Sequence, residues 1–232
     1  MKSGQAVCLP SACMSAIIFD LDGVLLDSEG LQYQAYAQVL RAFGVTITLE
    51  EYAQHWIAAG HGPEYAVRRY ELPVDEPGLR ALKHPVYHEI LRQRAALMPG
   101  AFDVLARLHS RFSLGLATNS IRSDVAFVMD RFDLRRFFAS IITREDYALP
   151  KPNPDAFLTA AAGLKVPPHA CLVVEDAHKG ILAAHRAGAV AVAVPNLYTR
   201  GNDFSLAAAI LDSLEDLTVT LVEALLASRR GL

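Results

Sequence analysis

The chain has 232 residues, 52% of them hydrophobic, with 22 Lys and Arg against 25 Asp and Glu for a formal net charge of −3. That is enough apolar material for one large core, or a core carrying a smaller insert, and it excludes global disorder. The balanced charge, with no Lys/Arg run, argues against nucleic acid or an anionic membrane as partner. No apolar run approaches the roughly 20 residues of a membrane helix. Met1 to Ala12 lacks the long apolar stretch of a secretory signal, so residues 1–14 are expected to be a flexible tail and the protein cytoplasmic. Cys8, Cys13 and Cys171 show no metal-ligand spacing and read as free thiols of a reducing compartment.

In chain order, the apolar run Ala16-Ile17-Ile18-Phe19 reads as a buried strand that ends in Asp20-Leu21-Asp22-Gly23. Side chains at i and i+2 of an extended chain share a side, roughly 6.6–6.8 Å apart, so both carboxylates are expected to face one ligand from the strand's mouth. Tyr36, Val39, Leu40 and Phe43 then recur at helical spacing, with Gly44 as a stop. Further helices are expected over Glu50–Ala59 and Tyr65–Tyr70, separated by Gly60-His61-Gly62-Pro63. A turn-rich stretch from Pro73 to Gly78 precedes a longer helix to about Leu97, in which Pro85 marks a kink or a late start. Residues 29–96 therefore read as all helix.

Strand and helix alternate from there on. Strands are expected at Phe112–Ala117, Ile141–Ile142, Cys171–Val174 and Ala189–Val194, with helices around Val104–Leu108, Val125–Phe132, Ala156–Gly163, Ile181–Ala187 and Ala224–Ser228. Such alternation implies a parallel sheet flanked by helices, with 29–96 inserted between its first strand and the rest.

Ligands of open α/β sheets sit outside the carboxyl ends of the strands. Four such ends deliver Asp20 and Asp22, Thr118-Asn119-Ser120, Lys151-Pro152-Asn153-Pro154-Asp155, and Glu175-Asp176. Carboxylates, a hydroxyl and one ammonium are the inventory for moving a phosphoryl group with a hard metal ion. Asp20 suits a nucleophile that forms an aspartyl-phosphate and splits one hard displacement into two easier ones. Its repulsion from a phosphate dianion is about 4 kcal/mol per charge pair at ~4 Å and an effective dielectric of ~20. Two pairs amount to about a millionfold in rate, which Mg²⁺ on oxygen ligands would offset, with Asp176 and the adjacent Glu175 completing its protein ligands. Asp22 suits the general acid and then base, Lys151 would offset charge on the transferring oxygens, and Thr118 can donate to them. Each residue alone also has a structural explanation as a turn, cap or loop residue; the coincidence at four strand ends is what favours one site.

Together these segments resemble the motifs of the haloacid dehalogenase-like hydrolases: Asp20-Leu21-Asp22-Gly23-Val24, Thr118-Asn119, Lys151 to Asp155, and Glu175-Asp176, over residues 16–200. The resemblance implies an α/β fold, a Rossmann-like parallel sheet core (15–28 and 97–232) with helices on both faces and a small all-helical cap domain (29–96) inserted after strand 1. It also implies Asp20 as nucleophile and metal ligand, and Asp22 as acid/base that binds metal through its backbone carbonyl. Thr118, Asn119 and Lys151 would hold the phosphoryl group, and Asp176 with Glu175 would bind Mg²⁺. The implied activity is hydrolysis of a small phosphorylated metabolite, a sugar or polyol phosphate. The first alternative is a β-phosphoglucomutase-type mutase and the second a non-catalytic binding protein. Asp22 argues against the metal-free dehalogenases, which lack the second acid. Gly60 is followed by His61-Gly62-Pro63-Glu64, without the arginine of mutase-type caps, and Ala177 stands where a serine is common. His61 is a candidate substrate contact, whereas His55 and Trp56 read as packing and Lys83 and Arg68 as solvated.

Overall fold

A computed structural model describes residues 15–228; the expected tail at 1–14, with Cys8 and Cys13, lies outside them. The first strand, β1 (Ala16–Phe19), is followed by α1 (Glu29–Arg41) and then α2 (Leu49–Glu51), which runs into a π-helical stretch over Tyr52–Ala58. Next come α3 (Pro63–Arg69), α4 (Glu76–Arg94), α5 (Ala101–His109), β2 (Ser113–Ala117), α6 (Arg122–Arg131) and β3 (Phe138–Ile142). The chain continues through α7 (Asp155–Leu164), β4 (Cys171–Glu175), α8 (His178–Ala187), β5 (Val190–Ala193), β6 (Ala209–Ile210) and α9 (Val219–Ser228). No helix among the described residues is long and apolar enough to cross a membrane.

All six strands are parallel, in the order β3-β2-β1-β4-β5-β6. The period-2 alternation of β1 divides the core in two. Ile17 and Phe19 pack with Leu105, Val128 and Val222 from α5, α6 and α9, while Ala16 and Ile18 pack with Phe157 and Ile181 from α7 and α8. The expected α/β fold with helices on both faces is thus the observed one. Between β1 and β2 the chain is helical, and α1–α3 with the start of α4 gather their own apolar cluster around Leu40, Tyr52, Trp56 and Leu79. Further along α4, Tyr87 and Leu91 join the main core with Leu31 and Ala35.

The structure differs from the expectations in four local ways. The turn-rich stretch already contains the start of α4, because Asp75 caps it by accepting from the Gly78 N–H at 2.8 Å and Pro77 sits in the first turn, where no N–H is needed. Pro85 lies inside α4, which runs on to Arg94. The edge strand β6 was not foreseen; at two residues it has no periodicity to read. β1 ends at Phe19, so Asp22 lies in a tight turn rather than on an extended strand: the N–H groups of Leu25 and Leu26 both reach the Leu21 carbonyl at 2.9 Å.

Candidate active site

Register explains why distant residues meet. Phe19 is level with Leu116 on β2 and with Val174 on β4, so one step further puts Asp20 beside Ala117 and Glu175. The Asp20 N–H donates to the Val174 carbonyl at 3.0 Å and continues the ladder that far. Into this row comes Lys151, whose Nζ donates to Asp20 Oδ1 at 2.7 Å, to Glu175 Oε1 at 2.7 Å and to the Ala117 carbonyl at 2.9 Å. All three ammonium protons are thereby engaged, and the side chain is buried over the Phe157 ring.

The loop that delivers Lys151 is tied down on several sides. Asn119 Oδ1 accepts from the Lys151 N–H at 3.3 Å and from the Tyr147 hydroxyl at 2.7 Å. Asp155 Oδ2 accepts from the Leu149 N–H at 3.0 Å, and Arg186 Nη1 donates to the Pro152 carbonyl at 2.9 Å. Asn153 does not cap α7; its amide donates to the Pro150 carbonyl.

Asp20, Glu175 and Asp176 form one buried cluster, with a carboxylate oxygen of each within 4.8 Å of the others. Burial pushes the Asp20 carboxyl up to about 7; Lys151 pulls it down, while Glu175 and Asp22 push it further up. Asp176 lies well above the usual carboxylate range through burial, reinforced by Glu175, Asp20 and Glu29. Burial works against the charge on Lys151, but Asp20 and Glu175 more than offset it and hold the ammonium above its ordinary value. Two of the three carboxylates, those of Asp20 and Glu175, share the one ammonium, and the buried cluster holds more carboxyl groups than cations. Glu175 is the most fully engaged: besides Lys151, it accepts from the N–H groups of Asp176 and Ala177 at 3.1 and 3.2 Å. Asp22 stands at the rim. Its Oδ2 accepts from the Ser120 hydroxyl at 2.5 Å and, at a long 3.4 Å, from Thr118, while its Oδ1 is buried without a hydrogen-bond partner.

The model of the haloacid dehalogenase-like hydrolases matches residues 14–188. The chain belongs to this family. As one of these hydrolases it is 34% identical over 206 residues to protein CbbY of Rhodobacter capsulatus, covering 84% of this chain and 91% of that protein. It is 31% identical over 228 residues to phosphoglycolate phosphatase of Salmonella typhimurium, covering 87% and 90%. Its fold matches the crystal structure of CbbY from Rhodobacter sphaeroides in complex with phosphate, at a TM-score of 0.78 and 27% identity, over 90% of this chain and 99% of that one.

Within this hydrolase the structure brings Asp20, Asp22, Thr118, Asn119, Lys151, Glu175 and Asp176 to one end of the sheet. Among the described residues no side-chain hydrogen bond or ion pair joins His61 to this group; it is exposed, and its ring lies parallel to Tyr65, 6.3 Å between centroids. Trp56 is buried in the helical cluster and Arg68 is exposed, both as expected. Lys83 is a correction. It is half-buried rather than solvated, with its Nζ 4.0 Å from the Tyr87 ring centroid and 5.2 Å from that of Tyr36. Burial brings its amine down to about 8, against the pull of Asp22, Asp124 and Glu29. Glu29 and Asn196 were not singled out from the sequence. Glu29 accepts from the Tyr52 hydroxyl at 3.1 Å, and Asn196 Nδ2 donates to Asp176 Oδ2 at 2.7 Å.

Proposed function

We propose that the chain is a Mg²⁺-dependent phosphatase of a small phosphorylated metabolite, a sugar or polyol phosphate, that works through an aspartyl-phosphate on Asp20. The observation that carries the reading is the cluster of three buried carboxylates at the sheet's carboxyl end, two of them paired with the Lys151 ammonium. Hard oxygen donors with surplus negative charge in a buried setting fit a hard dication. Asp20, Asp176 and the Asp22 carbonyl would hold it; when bound, it would draw charge from the phosphoryl oxygens. Glu175 has both oxygens taken up by Lys151 and backbone N–H groups, so it is assigned the aiming of Lys151 rather than the metal.

Asp20 attacks phosphorus, and Lys151 fixes its carboxylate and favours the ionised form that attack needs. Asp22, with Oδ2 held by Ser120, keeps Oδ1 free to protonate the leaving oxygen and then take a proton from the water that hydrolyses the acyl-phosphate. Thr118 would donate to the phosphoryl oxygens, Lys151, with its three protons engaged, offsets their charge, and Asn119 holds Lys151's loop. Residues 29–96 act as a cap domain over a core made of 15–28 and 97–232. Lys83 and Glu29, both acted on by the charge of Asp22, are assigned as its candidate substrate contacts. Closure of such a cap would exclude water from the reacting centre.

A panel of phosphorylated metabolites assayed for phosphate release tests the reading. Release from a sugar or polyol phosphate that needs Mg²⁺, stops with EDTA and is lost in Asp20→Asn is expected. Absence of release from every substrate, generic aryl and acyl phosphates included, would refute it in favour of a binding protein. Glucose 6-phosphate formed from β-glucose 1-phosphate would mark a mutase.

A further inference from the structure

Among the described residues, the hydrogen-bond donor to the buried Asp176 carboxylate is the side-chain amide of Asn196, 2.7 Å from Oδ2. The amide is not free to turn. Its Oδ1 accepts from the Tyr198 N–H at 2.9 Å, so a flip would lose that bond and set two oxygens against each other. The backbone is held as well: the Asn196 N–H donates to Thr199 Oγ1 at 3.0 Å, and its carbonyl accepts from the N–H groups of Thr199 and Arg200. Thr199 is buried, which fixes this small turn to the core. The turn follows β5, and β5 is registered on β4 with Ala193 level with Glu175, so the sheet itself sets where the amide points.

The third member is Gly23. Asn196 Nδ2 also reaches the Gly23 carbonyl at 3.4 Å. A Cβ on Gly23 would stand 2.4 Å from Asp176 Oδ2 and 2.6 Å from Asn196 Nδ2, in the space the amide–carboxylate bond occupies. Gly23 has φ +77°, where glycine is favoured in any case.

We propose that Asn196 is a positioning residue for Asp176: by engaging Oδ2 it commits the carboxylate to present Oδ1 to the divalent cation as a single oxygen ligand. A carboxylate with one oxygen held offers one direction of approach; a free one rotates about its terminal bond and must be ordered when the cation binds. Groups that orient a ligand in this way typically contribute 10–100-fold in metal affinity. The inference rests on the metal site proposed above, and its test separates the two.

Mn²⁺ serves as the probe, with binding followed by electron paramagnetic resonance of the free ion and the fold by circular dichroism. Asn196→Ser keeps an oxygen that can accept the Tyr198 N–H, so the turn is retained, but it cannot span to Asp176. The expected result is a folded variant that binds Mn²⁺ about 10–100-fold more weakly than wild type. Its half-saturating Mg²⁺ should rise to match, while the KM for substrate holds and kcat recovers at saturating Mg²⁺. Wild-type Mn²⁺ affinity in the folded Ser variant would overturn the inference alone. Failure of wild type to bind Mn²⁺, or binding undiminished in Asp176→Asn, would instead overturn the metal reading beneath it. Failure of the Ser variant to fold would make Asn196 a staple of its loop and overturn the positioning role.

Discussion

Replacing Lys151 by Ala separates a designed electrostatic site from a lysine that merely fills space. The substitution removes three hydrogen bonds at once, to Asp20, Glu175 and the Ala117 carbonyl. It leaves two carboxylates buried with their cation gone. Breaking a buried pair in this way costs about 3–5 kcal/mol. For a chain of this size each kcal/mol moves the melting temperature by roughly 2–4 °C, so a fall of about 6–20 °C is expected. The penalty should also depend on pH in a defined direction. In wild type Asp20 titrates at about 7, with Lys151 among the groups holding it down; in the variant it must titrate higher. Below about 7 both folded proteins keep the Asp20 proton, and their difference in stability is constant. As pH rises past 7 wild type releases it while the variant retains it, so the difference widens. Chemical denaturation in EDTA from pH 5 to 9 reads this directly. A difference that is flat, or that narrows with rising pH, would refute the electrostatic reasoning.

Three further outcomes follow from the same contacts. Gly180→Ala would place a Cβ 1.8 Å from the Glu175 carboxyl carbon, so it should swing that carboxylate off Lys151 and lower both melting temperature and phosphate release, although residue 180 touches no reacting group; wild-type values for both would be the contrary result. Lys83, with its amine near 8, should react with an acylating reagent at lower pH than Lys165, and it should add stability as pH rises from 8 to 10.5, where the unfolded chain holds a proton that the folded one has released; mass-spectrometric labelling with a midpoint near the ordinary lysine value would contradict this. His88→Ala removes the 2.7 Å bond from α4 to the buried Asp124 on α6 and should cost about 1–3 kcal/mol in urea unfolding, whereas Arg68→Ala, at an exposed pair on α3, should change stability by less than about 1 kcal/mol.

What the sequence made legible were features with local signatures. The apolar runs of β1 and β4, each ending in acids, announce themselves, and a lysine between a strand and a proline-stiffened helix start stands out once the strands are in place. Long-range features were hidden. Asn196 follows a proline in a polar loop and looks like any turn residue; only the register of β5 on β4 brings its amide to Asp176. Lys83 lies in a polar stretch of α4 that reads as solvated, and its cover comes partly from Tyr36 on α1, 47 positions earlier. Glycine at 180 carries no sequence signal beyond a weak helix position, yet the Glu175 carboxylate occupies the space its side chain would need. The i, i+2 reasoning for Asp20 and Asp22 assumed an extended strand, whereas the chain turns at Leu21.

The central claim is that phosphorus becomes bonded to the carboxylate at position 20. Acyl-phosphates are reduced by borohydride, so enzyme quenched during turnover, treated with borohydride and digested should yield homoserine in place of Asp20 in the peptide mass spectrum. Homoserine at Asp22 or Asp176 instead, or unmodified Asp20 in samples quenched during a pre-steady-state burst of product, would contradict the account.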